Sequence, residues 1–68
     1  MSLAKLRLER GLKQTDVANE LGISQATVAM WETGKSVPSF KNLRLLSELL
    51  NLSVDDICAA MQKTEKGE

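Results

Sequence analysis

Five uncharged side chains, Gln25, Ala26, Thr27, Ala29 and Met30, fall on the outer face of one short helical segment. Gln25 carries an amide that offers an acceptor and a donor side by side. A face of this kind reads hydrogen-bonding edges; it does not break bonds. The 68-residue chain has no His or Tyr for general acid or base work, a single Cys and no glycine-rich phosphate loop. Its carboxylates fall on exposed helix faces or at helix N-termini, which speaks against an enzyme. One cysteine allows no intrachain disulfide, and without histidine the usual zinc ligand sets are missing. No cofactor, metal or small-molecule ligand is implied.

The stretch from Gln14 to Lys35 must position that face. Its first half, Gln14 to Leu21, places Val17, Ala18 and Leu21 on one apolar stripe at helical spacing. Gly22 follows at once and accepts the left-handed backbone that ends a helix; Ile23 plugs the corner. Ser24 is an N-cap for a second helix over Gln25 to about Thr33, stopped by Gly34. Val28 and Trp31, three apart, turn inward. The result is two short helices joined by a tight turn.

These residues resemble the lambda-repressor-like, XRE-type (Cro-like) helix-turn-helix family. The matching positions are Leu12-Lys13-Gln14, Val17-Ala18, Leu21-Gly22-Ile23-Ser24, Val28, Trp31-Glu32 and Gly34-Lys35, and the likeness extends from Leu3 to about Ile57. It implies an all-α, five-helix DNA-binding domain with the helix-turn-helix as its second and third helices. It also implies that Arg7 and Glu32 bridge each other partly buried; two separately solvated charges are the plainer alternative.

The other elements follow from punctuation. Ser2 to Arg10 reads as a first helix with Leu3 and Leu6 inward and Gly11 ending it, and Leu12 returns the chain to the core. Pro38 marks a loop, Ser39 caps a fourth helix through Leu50, and Asn51 is a left-handed terminator. Ser53 and Asp56 make an S-x-x-D start, with Asp55 and Asp56 where the helix dipole favours negative charge. A fifth helix reaches Met61 or Gln62. The expected core is Leu3, Leu6, Leu12, Val17, Ala18, Leu21, Ile23, Val28, Trp31, Leu43, Leu46, Leu50, Leu52 and Ile57, nearly all aliphatic. Residues 1–62 are thus read as one domain and 63–68 as a flexible tail.

A net charge of zero hides an asymmetry. Residues 1–44 carry seven cationic and four acidic side chains, a net +3; residues 45–68 carry two and five, a net −3. The N-terminal part can therefore steer toward a polyanion. The N-terminus lacks the apolar core of a signal peptide and no apolar run spans a membrane, so a soluble cytoplasmic protein with no membrane partner and a reduced thiol is expected.

A helix fits the DNA major groove, and the first turn of such a helix reaches base edges. Gln25 is the leading base contact, its amide suited to the N6/N7 edge of adenine, against the alternative of a merely solvated amide. Ala26, Thr27 and Met30 could touch thymine methyl groups. Met30 stands where many relatives carry a long polar or basic residue, and the alternative for it is a half-buried filler. The resemblance makes Gln14 a phosphate contact at a helix N-terminus, with Ser24 beside it. Lys35, the backbone around Ser36, and Ser39, Phe40 and Lys41 hold the other flank. Lys13 replaces a Ser or Thr cap, so that cap is lost; the lysine either contacts phosphate or is simply solvated.

A monomer of this size covers half an operator, so a two-fold homodimer on an inverted repeat is expected. Leu45 and Leu49, with Val54, Cys58 and Met61 at i, i+4, i+7 of the last helix, form a candidate dimer patch; covering each other within one chain is the alternative. The leading reading is a small transcriptional regulator, a repressor, binding a double-stranded DNA operator, with RNA polymerase or a toxin as further possible partners. The competing class is an antitoxin-type interaction module that binds a partner protein and regulates its own operon. Such a module needs an arm that folds on its partner, and only the segment from Lys63 to Glu68 is available for one.

Overall fold

Four of the five helices open on a serine hydroxyl, and Gly or Asn in the left-handed region closes three of them. The computed structural model describes residues 2–62, so the expected tail at 63–68 lies outside the described residues. Five helices follow in order: α1 Leu3–Glu9, α2 Gln14–Leu21, α3 Gln25–Thr33, α4 Phe40–Leu50 and α5 Val54–Gln62. There is no strand among the described residues. The fold is an all-α, lambda-repressor-like domain, as expected.

Four serines start helices. The hydroxyls of Ser2, Ser24, Ser39 and Ser53 accept from the backbone N–H three residues on, at 3.0–3.3 Å. Gly22 (φ 72°), Gly34 (φ 84°) and Asn51 (φ 57°) are left-handed and close α2, α3 and α4. Two boundaries differ from expectation. Ser2 is extended (φ −137°) and stands outside α1, because a hydroxyl can reach the first orphan N–H only from a non-helical backbone. Arg10 also leaves the helix, and its guanidinium donates to the carbonyls of Leu6 and Leu50, tying α1 to the end of α4.

Lys13 offers no side-chain cap, yet half the function of a capping box survives. The Asp16 carboxylate accepts from the Lys13 N–H at 2.7 Å. Asp16→Ala is expected to cost about 1 kcal/mol, the usual worth of a helix cap, read as a lowered midpoint in urea unfolding. An unchanged midpoint would show the contact to be energetically idle.

The core joins all five helices: α2 packs on α3 and α4, α5 on α4, and α1 on α3 and α5. Leu3, Leu6, Val17, Ala18, Val28, Trp31, Leu46, Leu50 and Ile57 are buried as expected. Leu12, Leu21, Ile23, Leu43 and Leu52 sit at its margin, half-buried. Ala60, one turn after Ile57, is also buried and was missed, since alanine adds little to an apolar pattern. Pro38 is buried as well, so the residue that marks the loop also anchors it.

Candidate nucleic-acid interface

α2 and α3 meet through the turn at Gly22, whose N–H donates to the Asn19 carbonyl while the Ile23 N–H donates to that of Ala18. The packing of Val17 and Ala18 against Val28 and Trp31 fixes α3 as a ridge. On that ridge Gln25 and Ala26 are exposed, Thr27 is half-buried, and Met30 is 38% exposed. All four candidate base contacts therefore reach the surface of α3, Thr27 only in part. The Thr27 hydroxyl lies 2.9 Å from that of Ser24, so part of its hydrogen-bonding capacity is used at the helix start.

Beneath the ridge runs a chain of polar contacts. Arg7 Nε donates to Glu32 Oε2 at 2.7 Å, and a second guanidinium nitrogen lies 3.3 Å from Oε1. The remaining guanidinium nitrogen donates to the Leu12 carbonyl at 2.8 Å, pinning the loop before α2. The two side chains are only 11% and 7% exposed, so the bridge implied by the family resemblance forms. Gln14 Nε2 donates to Glu32 Oε1 at 2.9 Å, and Gln25 Nε2 donates to Gln14 Oε1 at 3.1 Å. Sequence reasoning named all four residues and missed that they are one network, because its links span 25, 18 and 11 positions.

Basic side chains lie just before α2, just after α3 and at the start of α4. Lys13, Lys35 and Lys41 are exposed, and Ser36 is half-buried. In the backbone around Ser36, the N–H groups of Lys35 and Ser36 both donate to the Met30 carbonyl and close α3. These two N–H groups are thus already engaged within the chain. On α4, Ser39 and Lys41 are exposed, Phe40 is 67% exposed, and Arg44 lines the same shallow groove as Phe40 and Lys41. Arg44 was counted as charge but not as a site residue; its i+3 spacing from Lys41 was the available signal.

The expected dimer patch is divided. Leu45 and Leu49 line a groove with Glu20, Leu21 and Glu48, whereas Cys58 and Met61 line another with Val37, Pro38 and Leu43. Leu43 and Leu45 are two positions apart on α4, roughly 200° of rotation, which is why their neighbours cannot share one face. Val54 is half-buried. Leu49 and Met61 also pack against the core. No helix of the described residues is long and apolar enough to cross a membrane, and they contain no cluster of acidic or cysteine side chains able to hold a metal.

Two helices joined by a tight turn and carried on three further helices define a helix-turn-helix domain. The helix-turn-helix family profile matches residues 3–57, and the chain belongs to that family, in its XRE, lambda-repressor-like branch. It is 30% identical over 66 residues to a transcriptional repressor of the cryptic phage CTXphi, RstR, from Vibrio cholerae, covering 97% of this chain and 59% of the relative. It is 36% identical over 62 residues to the ImmF control region 10 kDa protein of Bacillus phage phi105, covering 90% and 69%. The HTH-type transcriptional activator BcrR of Enterococcus faecalis is 29% identical over 55 residues, or 81% of this chain and 27% of that protein. A crystal structure of a transcriptional regulator from Listeria innocua superposes with a TM-score of 0.75 at 33% identity, over 81% of this chain and 51% of that one. The chain thus spans between about a quarter and two thirds of the length of these proteins.

Proposed function

We propose that this domain binds double-stranded DNA in a sequence-specific way and serves a transcriptional repressor, with α3 in the major groove and two copies on an inverted repeat. One observation carries the reading: Gln25 and Ala26 stand exposed on the first turn of α3, where a groove-bound helix meets base edges. The phage repressor among the relatives supports repression, which a bound domain can exert simply by occluding a promoter. In this reading the flanking Lys13, Gln14, Ser24, Lys35, Ser36, Ser39, Phe40 and Lys41 grip phosphate and set register, while Gln25, Ala26, Thr27 and Met30 read sequence. RNA polymerase enters only as the competitor for the same promoter.

The test is selection from a random duplex pool at a fixed salt concentration. An inverted repeat with half-sites about 34 Å apart, or a multiple of that, is the expected product. No enrichment would sink the reading and favour a protein partner, the antitoxin-type alternative. Gln25→Ala should flatten preference at one base pair per half-site by about 1–3 kcal/mol while leaving the other positions as selective as before; competition binding with single-substituted duplexes reads this directly. Two-fold pairing is tested by sedimentation of Leu49→Glu and Val37→Glu. The groove that supplies the contact is the one whose variant stays monomeric, and full dimerisation of both variants excludes both surfaces.

A further inference from the structure

The polar chain beneath α3 has a direction. A carboxylate only accepts hydrogen bonds, so the group of Gln14 that faces Glu32 at 2.9 Å must be its NH2. That choice turns the Gln14 oxygen toward Gln25, whose NH2 lies 3.1 Å away and donates to it. We infer that Glu32 is a positioning residue for base readout: acting through Gln14, it dictates which end of the Gln25 amide lies toward α2 and which lies outward. The inference rests on the DNA-reading function proposed above.

The consequence is chemical. One of the two Gln25 N–H donors is engaged by Gln14, leaving a single donor on the α2 side and an uncommitted oxygen away from it. A solvated glutamine turns its amide over freely and offers both orders of donor and acceptor. Here the bond to Gln14 favours one order, so a base edge with the opposite order must break that bond or meet oxygen against oxygen or NH2 against NH2. Glu32 can hold this polarity because Arg7 fixes its carboxylate from the other side and little water reaches it, its side chain being 7% exposed. A neutral amide at position 32 would accept from Arg7 through its oxygen and donate to Gln14. Gln14 and then Gln25 would turn over in sequence.

Glu32→Gln is therefore the decisive substitution. With the full chain and duplexes carrying each of the four base pairs opposite Gln25, wild type should discriminate, and Glu32→Gln should lose about tenfold of that discrimination with selectivity elsewhere retained. In a Gln14→Ala background the same substitution should change the preference at that base pair no further, since the link is already cut. A purely structural role for Glu32 predicts instead a uniform loss at all positions that persists in the Gln14→Ala background, and either result overturns the inference while leaving the DNA reading intact. Absence of any selectivity in wild type overturns both. Should Glu32→Gln fail to fold, NMR on the free wild-type protein decides: a through-hydrogen-bond coupling between Gln14 Nε2 and the Glu32 carboxyl carbon is required, and the Gln25 amide protons should shift upfield in Gln14→Ala. Lack of that coupling, or an unmoved Gln25 amide, refutes it.

Discussion

Glu32→Ala should lower the unfolding midpoint by roughly 12 °C or more at neutral pH. Removing one member of a buried ion pair costs about 3–5 kcal/mol, and each kcal/mol moves the midpoint of a domain this size by about 4–8 °C. The reason is the guanidinium left behind. Arg7 is 9% exposed and would keep its desolvation cost without its counter-charge. The pair also ties α1 to α3, so its removal loosens the packing of one helix on the other. Replacing both by apolar residues, Arg7→Met with Glu32→Leu, should recover most of the loss but not all of it. The Leu12 carbonyl that Arg7 now satisfies would be left without its donor, at about 1–3 kcal/mol. Thermal unfolding by circular dichroism measures all three variants, and coincident curves for wild type and Glu32→Ala would show the bridge to be idle.

Raising salt from 50 to 200 mM should weaken operator binding by about a thousandfold if three lysines per copy, six per dimer, each neutralise one phosphate. The logic is counterion release: every cation seated on phosphate frees a condensed ion, and that gain shrinks as bulk salt rises. Lys35→Ala should weaken all sequences alike and reduce the slope of log affinity against log salt by about 0.9 for each phosphate no longer neutralised. Gln25→Ala should leave the slope alone, because an amide releases no counterion. Fluorescence anisotropy titrations at several salt concentrations separate the two. A flat salt response would place Lys13, Lys35 and Lys41 away from the backbone.

This separation between affinity and specificity maps onto the charge distribution. The cations behind the net +3 of residues 1–44 lie on or next to α1, just outside α2 and α3 at Lys13 and Lys35, and at the start of α4, while α2 and α3 themselves carry only Asp16, Glu20 and Glu32. An electrically neutral chain can still attract a polyanion locally where its cations gather. Uncharged Gln25, Ala26, Thr27 and Met30 lie between the lysines, where a charge would bind every sequence and discriminate among none.

Much of the architecture was legible without coordinates because its signals are local. Ser24, Ser39 and Ser53 each cap the turn that follows them, and Gly22, Gly34 and Asn51 each end the turn before them; such bonds span three to five residues. The inward stripe of α4 was legible for the same reason, Leu46 and Leu50 being one turn apart. Where reading by pattern went astray, a local rule met a nonlocal partner. Arg10 was assigned to α1 and instead reaches the end of α4, forty positions away. Of the five apolar residues drawn as one dimer patch, Leu45 and Leu49 line one groove and Cys58 and Met61 another, since periodicity places a side chain on a helix but not against a neighbour.

What the amino-acid order settled by itself is the set of five helices, their ends and the uncharged first turn of α3, because capping and periodicity act within single turns of chain. What only tertiary structure decided is how Arg7, Glu32, Gln14 and Gln25 join into a directed line of hydrogen bonds, and which apolar surfaces remain outside. Those contacts exist only once α1, α2 and α3 are packed to within hydrogen-bonding distance, and that distance is set by the volumes of the buried side chains among them rather than by any spacing along the chain.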